Sequence, residues 1–255
     1  MAPQDGGVMR AILFAAGVGS RLAGVHDGPK ILLEFGGHSL LERHLRLLSA
    51  CGVQETVLCT GYAADVIHEA VQALGWTDRV RCLHNPDFRE GSILTQWAAR
   101  EAIAAGGPVL LMDADVLYDQ RLLTRLIASS HADCFLLDRD IEPGQEPVKL
   151  CIREGHLVDF RKTPDQPHDW CGESVGFFKL AEVTAKRLVG STIAYIESGR
   201  RDDYYDEALR DLLLADAPGS FGWEDITDLP WIELDSAADL ERARAEILPY
   251  LDPLP

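Results

Sequence analysis

The sequence predicts an α/β fold, with a mostly parallel central sheet flanked by helices and a mixed second half. Three observations carry this. Up to about residue 130, short apolar runs alternate with helical stretches of roughly ten to fifteen residues, the pattern of parallel strands joined by crossover helices. Beyond that point, strand-like runs follow one another with short turns, so pairing there is expected to be partly antiparallel. Finally, two of the early apolar runs end in residues suited to ligands, and open parallel sheets bind ligands outside the carboxyl ends of their strands.

The elements follow in order. Met9–Ala16 is a short apolar run ending at Gly17, read as a buried strand. Ser39–Ala50 has leucines at helical spacing, with Ser39 as N-cap, Glu42 three residues on, and Gly52 just past the end. Glu55–Cys59 is a strand, Ala64–Leu74 a helix closed by Gly75, and Arg79–His84 a strand. Ser92–Ala105 is a helix closed by Gly106 and Gly107. Val109–Met112 is an apolar strand running into Asp113-Ala114-Asp115, and Gln120–Ser129 is a helix. In the second half, Asp133–Leu137, Val148–Arg153, Leu157–Lys162 and Ser174–Leu180 read as strands. Helices over Glu182–Ser198 and Tyr204–Ala215 come next, then strands near Ser220–Ile226 and Trp231–Leu234, and a helix over Ala237–Ile247. A single domain over residues 9–250 is expected after a flexible tail, 1–8, with halves of about 9–130 and 131–250.

Composition narrows the function. Of 255 residues, 47% are hydrophobic and 25% charged, as in a folded globular chain rather than a disordered one. Asp and Glu number 41 against 24 Lys and Arg, a net charge of −17. Such a field repels polyanions and argues against nucleic-acid binding and anionic membranes, while a few cations in one cleft can still hold a small anion. No apolar run is long enough for a membrane helix, and the N-terminal residues do not read as a signal peptide. Six cysteines, at 51, 59, 82, 134, 151 and 171, form no CxxC pair, and the eight histidines are scattered. Reduced, mostly buried thiols in a cytoplasmic enzyme are therefore expected, without a zinc cluster. The sequence carries no indication of oligomeric state.

The loop after the first strand reads Ala15-Ala16-Gly17-Val18-Gly19-Ser20-Arg21-Leu22, with Pro29-Lys30 following. Its glycines allow backbone N–H groups to converge on phosphate oxygens, Ser20 adds a hydroxyl, Arg21 a planar cation and Lys30 a point charge. A dinucleotide fingerprint would need Gly or Ala where Leu22 stands, and a Walker A loop is absent. A tight strand-to-helix turn remains an alternative for Gly-x-Gly alone. The longer pattern, L-x-A-A-G-x-G-S-R-L with P-K about eight residues on, resembles the signature of nucleotidyltransferases that activate sugar phosphates and alcohol phosphates. The resemblance runs from about Met9 to Ile247. It implies a Rossmann-like three-layer α/β/α fold of the GT-A-like kind, with a nucleotide-binding half and an acceptor half.

The resemblance also implies roles. Ala15 to Ser20 would wrap the triphosphate, Arg21 would hold the leaving phosphates, and Lys30 would contact the α-phosphate and the acceptor. Asp115 and Asp235 would hold Mg²⁺, a hard cation that suits carboxylates and phosphates. Asp113 would orient Lys30 or the loop. Taken alone, Asp113-Ala114-Asp115 is also an acidic turn, and Asp235 a good N-cap for the last helix.

Asn85–Thr95 is similar to the segment that passes beneath the base in choline-phosphate and aminoethylphosphonate cytidylyltransferases. Gly91, Ser92 and Thr95 fall on its polar patch, although the family's paired asparagines are missing. Ser92 could equally be a plain helix cap. In the second half, Lys149 stands where relatives have a phosphate-binding lysine. Glu173 lies on a strand facing the acceptor, and Arg201–Glu207 resembles a segment of the same cytidylyltransferases. Trp170, Glu173, Tyr204 and Tyr205 could together cage an ammonium group, or the aromatics could be packing. The reaction implied is transfer of CMP from CTP to a small alcohol phosphate or phosphonate, phosphocholine-like, with release of pyrophosphate. A sugar-1-phosphate or inositol-phosphate nucleotidyltransferase using CTP or UTP is the alternative.

Overall fold

The computed structural model describes residues 7–22, 26, 28–141 and 147–255. Strand β1 (Arg10–Ala15) leads through two short 3-10 turns, Ser20–Leu22 and Lys30–Leu32, into a hairpin of β2 (Glu34–Phe35) and β3 (His38–Ser39). Helix α1 (Leu40–Ala50), β4 (Glu55–Thr60), α2 (Ala64–Ala73), β5 (Val80–His84), α3 (Ile93–Ile103) and β6 (Val109–Asp113) follow. Next come β7 (Val116–Tyr118), α4 (Gln120–Ala128), β8 (Cys134–Asp138), β9 (Lys149–Arg153), β10 (His156–Arg161) and β11 (Trp170–Leu180). The chain closes with α5 (Glu182–Glu197), α6 (Tyr205–Ala215), β12 (Gly222–Asp225), β13 (Trp231–Glu233) and α7 (Ala237–Arg242). Residues 1–6 of the expected tail lie outside the described residues; Gly7 and Val8 lie against Gly107.

Among the described residues, one nine-stranded sheet has the order β10-β9-β11-β6-β1-β4-β5, with β8 on β11 and β12 on β8. Strands β6, β1, β4 and β5 are mutually parallel. Strand β11 joins the two patterns. It pairs antiparallel with β9 through Trp170–Glu173, with β8 through Glu173–Lys179, and with β6 through Phe177–Leu180.

Alternation along β1 separates two cores, because successive side chains point to opposite faces of a strand. Ala11 and Leu13 pack with residues of α1, α2 and α4, whereas Ile12 packs with α3, α5 and α6. The result is the expected three-layer α/β arrangement. Its helix ends obey local chemistry: Ser39 accepts from the Glu42 N–H at the start of α1, and Gly52 takes a left-handed φ of 80° just past its end.

Several expectations need correction. The last helix stops at Arg242 and continues as a π turn over Ala243–Ile247. Its cap is Ser236, in a reciprocal box with Asp239, so Asp235 is not the cap. Strand β7 and the β2–β3 hairpin are two or three residues long, too short for periodicity to reveal. The cysteines are not all reduced: Cys151 and Cys171 form a disulfide, and Cys51, Cys59, Cys82 and Cys134 are free. The antiparallel register of β9 and β11 sets the bonded pair directly opposite each other.

One buried polar contact ties a helix to the end of β6. His44 of α1 is completely buried, with Nε2 3.1 Å from the Ala114 carbonyl and Nδ1 3.2 Å from the Tyr118 hydroxyl. A carbonyl only accepts, so Nε2 carries the proton and Nδ1 accepts from Tyr118. Burial pushes the His44 pKa from 6.5 down to about 4, because the charged ring has lost its water. The unfolded chain therefore binds this proton first, and stability is expected to fall as pH drops from 6.5 towards 4. The loss from this group is about 3 kcal/mol. Urea unfolding of the wild type and His44→Gln across that range checks it; the variant should show a shallower dependence on pH.

Candidate active site

The carboxyl ends of β1 and β6 open into a cleft of about 770 Å³. Strand β13 lines it through Trp231, Ile232 and Glu233, and β13 is held in place by pairing with β7. Glu233 pairs with Val116, and the Leu234 N–H bonds to the Asp115 carbonyl at 3.0 Å. That pairing brings the turn after β6 against the end of β13. Asp115, Glu233 and Asp235 thereby place carboxylate oxygens within 4.8 Å of one another.

Lys30 lies between two of them. Its Nζ is 2.9 Å from Asp115 Oδ2 and 2.6 Å from Asp235 Oδ1. Arg21 reaches the other Asp235 oxygen, Oδ2, at 3.0 Å. The Lys30 stem passes Gly19, where φ is +64° and a Cβ would press on Lys30 Cγ at 3.1 Å. Glycine is required there by both backbone conformation and space. Burial opposes the charge on Lys30, but the pull of Asp115 and then Asp235 outweighs it and holds the ammonium above its ordinary range.

Two further carboxyls are strongly perturbed. The carboxyl end of Glu233 sits low against Asp115 and Asp235, and burial there first, then their repulsion, pushes it up to about 8, although the residue as a whole is exposed. Asp113 accepts from the Tyr205 hydroxyl at 2.9 Å and is packed against Gly176, where a Cβ would collide with the carboxyl group. Burial, then Asp115, Glu233 and Asp206, raises Asp113 well above the usual carboxylate range. Its bonded partner is thus Tyr205 rather than Lys30 or the glycine loop.

The remaining predicted residues divide. Ala16 and Gly17 line the cleft, Ala15, Val18 and Gly19 are not among its lining residues, and Ser20 begins the first 3-10 turn. Ser92 and Thr95 line the cleft, but each is already engaged. Ser92 Oγ accepts from the Tyr205 N–H at 3.0 Å, and Thr95 Oγ1 accepts from Asn85 Nδ2 at 3.1 Å. Ser92 thus secures the start of α6 across a helix interface instead of capping its own helix. Gly91 does not line the cleft. It lets the chain pass against the 201–203 backbone, where a Cβ would clash, and its N–H bonds to the Arg201 carbonyl at 3.0 Å.

At the far end, the expected cage is not assembled as a unit. Glu173 and the exposed Tyr204 line the cleft, but Trp170 does not. Residues 170 and 173 are three apart on β11 and so face opposite sides. Trp170 instead meets Trp223 edge-on at 5.6 Å, with the Arg139 guanidinium 4.7 Å from its ring centroid. Tyr205 lines the cleft too, but it is largely buried against Phe14 with its hydroxyl on Asp113. Lys149 bonds to the Lys162 carbonyl at 2.9 Å and lies off the cleft, which Lys162 lines instead.

Sequence reasoning missed Glu233 and Asp206. Glu233 was signalled by its spacing, two residues before Asp235 on a strand and therefore on the same face. Asp206 lines the cleft beside Tyr205, and burial, then Glu207, pushes its carboxyl up to about 6 against the opposing pull of Lys162. Carboxylates dominate the cleft wall: Asp113, Asp115, Asp138, Asp140, Glu173, Asp206, Glu233, Asp235 and Asp239, against Arg21, Lys30, Lys162 and Arg242. An all-oxygen set at Asp115, Glu233 and Asp235 fits a hard divalent cation such as Mg²⁺.

Residues 11–167 match the model of the MobA-like NTP transferase domain, and the chain belongs to that family. It is 28% identical over 253 residues to CMP-5'-(3-aminopropyl)phosphonate synthase of Streptomyces rubellomurinus, covering 95% of this chain and 39% of that one. Across the first relatives matched, the chain spans about two fifths to one half of their length. Its fold is shared with the inositol-1-phosphate CTP transferase from T. maritima (TM-score 0.74, 20% identity, 96% of each chain). It is shared too with CTP:phosphocholine cytidylyltransferase from Streptococcus pneumoniae (TM-score 0.74, 18% identity, 92% of this chain and 97% of that one). Among the described residues, no helix is long and apolar enough to cross a membrane.

A divalent cation held by Asp115 and Asp235 would have to compete with Lys30 for the same oxygens. Lys30→Met is therefore expected to tighten Mn²⁺ binding to the nucleotide-free protein roughly tenfold. Electron paramagnetic resonance of free Mn²⁺ reads the affinity directly, and Asp235→Asn should abolish the gain.

Proposed function

We propose that this chain is a cytidylyltransferase that moves CMP from CTP to a small, amine-bearing alcohol phosphate or phosphonate. The observation that carries this reading is the Lys30 bridge between Asp115 and Asp235 at the mouth of the glycine loop. The acidic far end, with Glu173, Asp206 and Tyr204, supports the choice of acceptor. The relative named for an aminopropylphosphonate product points to CTP and to an amine.

The acceptor is already mostly a dianion near neutral pH, since its second pKa is about 6. No side chain has to take a proton from it. Its oxygen attacks the α-phosphorus in line, a new P–O bond forms, the bond to the β-phosphate oxygen breaks, and pyrophosphate leaves with the electron pair. Catalysis is then positioning and charge stabilisation.

The backbone from Gly17 to Ser20 receives the triphosphate. Lys30 turns from the aspartates to the α-phosphate, where charge builds, and Arg21 meets the departing pyrophosphate. Mg²⁺ held by Asp115 and Asp235, with Glu233 beside them, would neutralise phosphate charge as a Lewis acid. At the other end, Glu173 and Asp206 attract the acceptor's ammonium, and the Tyr204 ring adds its negative face.

Pyrophosphate release tests the reading across CTP, UTP, ATP and GTP with phosphocholine, phosphoethanolamine, aminoalkylphosphonates, inositol-1-phosphate and glucose-1-phosphate. A signal confined to CTP with an amine-bearing acceptor is expected. A signal only with inositol or sugar phosphates would keep the mechanism and reject the amine. In the active pair, Lys30→Ala is expected to lower kcat about 10³-fold while leaving the circular dichroism spectrum unchanged. Asp206→Asn is expected to raise KM for the amine acceptor by about tenfold or more, with little change in KM for CTP. Initial-rate kinetics separate the two.

A further inference from the structure

A second group of metal-ligating side chains stands apart from the cleft. Cys151, His168 and Cys171 bring two sulfurs and a ring nitrogen within 4.8 Å of one another, and none of them lines the cleft. The sequence scatters these residues; the pairing of β9 with β11 and the segment just before β11 collect them. The register of β9 and β11 sets Cys171 opposite Cys151. Just before β11, the Asp169 N–H bonds to the Ile152 carbonyl at 2.8 Å, and the Asp169 carboxylate accepts from the Glu154 N–H at 2.8 Å. These bonds pin the segment that carries His168 against β9.

His168 is also oriented. Its Nδ1 lies 2.8 Å from the Gln166 carbonyl, which can only accept, so the neutral ring carries its proton on Nδ1. Nε2 then has a free lone pair. A histidine whose other nitrogen donates to a carbonyl is fixed in the tautomer and orientation that metal ligation needs. Burial grades from Cys151, buried, through Cys171, half-buried, to His168, exposed, so an ion can enter from the histidine side.

We propose that Cys151, Cys171 and His168 form a zinc site whenever the Cys151–Cys171 disulfide is reduced. Two thiolates and an imidazole are a donor set suited to zinc, with water as the fourth ligand. The disulfide and the metal exclude each other, because a disulfide sulfur carries no thiolate charge. A dithiol reductant links the two states: it gives two electrons and two protons, the S–S bond opens to two thiols, and the reductant leaves as its own disulfide. Zinc then displaces the two thiol protons.

Either link ties β9 to β11 at the same point, two residues from Glu173, which lines the cleft, and from its pairing partner Lys149. The acceptor wall therefore keeps its strand pairing clamped in oxidising and reducing surroundings alike.

The test is a zinc titration against a chromophoric chelator, on protein reduced with a phosphine and then freed of it. The titration uses an Asp115→Asn/Asp235→Asn background, which removes competing carboxylates. One tight equivalent is expected in the reduced protein and none in the oxidised protein or in Cys151→Ser/Cys171→Ser. His168→Ala should lose more than about tenfold in affinity. In the reduced wild-type chain, Co²⁺ should give thiolate-to-cobalt charge-transfer absorption, which carboxylates cannot produce. A reduced protein without the tight equivalent, a cobalt complex without that absorption, or an unchanged affinity in His168→Ala would each overturn the proposal.

Discussion

The cleft depends on one ammonium shared by two carboxylates. Asp115 and Asp235 stand on segments that the β7–β13 pairing joins, and without a cation between them they would repel each other. Lys30 supplies that cation from a third segment, and Arg21 adds another on the outer Asp235 oxygen. The glycine loop, the acidic turn and the last strand thus meet at a single charge. A divalent ion placed on the same oxygens would have to displace the lysine.

The scaffold beneath is organised to hold that meeting point still. His44 grips the Ala114 carbonyl, between the two aspartates of the turn, and does so as a neutral ring because it has no solvent. On the other side, the Tyr205 hydroxyl holds Asp113, and Gly176 leaves the space in which its carboxyl group sits. Burying Asp113 beside Asp115 is unfavourable for its charge, and the elevated pKa records this. The hydrogen bond from Tyr205 offsets part of that penalty, so α6 is coupled to the floor of the site.

The end of the cleft at Glu173 and Tyr204 follows a different logic from the one its sequence suggests. Aromatic residues near one another in the chain are divided between the cleft, the core and the surface. Tyr204 is exposed beside Lys162, Tyr205 is buried, and Trp170 joins Arg139 and Trp223 on the far face of β11. What remains facing the cleft is chiefly acidic, with Glu173 and Asp206 the nearest candidates for a cationic group. The net charge of −17 is therefore expressed at the site as well as over the surface.

The sequence by itself determined the alternation of strands and helices, the glycine loop with Lys30 beyond it, and the strand ends after which Asp115 and Asp235 stand. Each is written in local chemistry: apolar periodicity, glycine where backbone must approach closely, and carboxylates just past an apolar run. Only the tertiary structure decided which side chains meet. Glu233 joined Asp115 because a three-residue strand, too short to show a period, paired with β13. Gly91 proved to be a close-approach residue rather than a base contact because the 201–203 backbone fills the space beside it. Lys162, rather than the expected Lys149, lines the cleft. Cys151 and Cys171, twenty residues apart, became neighbours through strand register. Long-range pairing and register bring together groups that no local spacing marks, and they alone settle which face of a strand looks into the site.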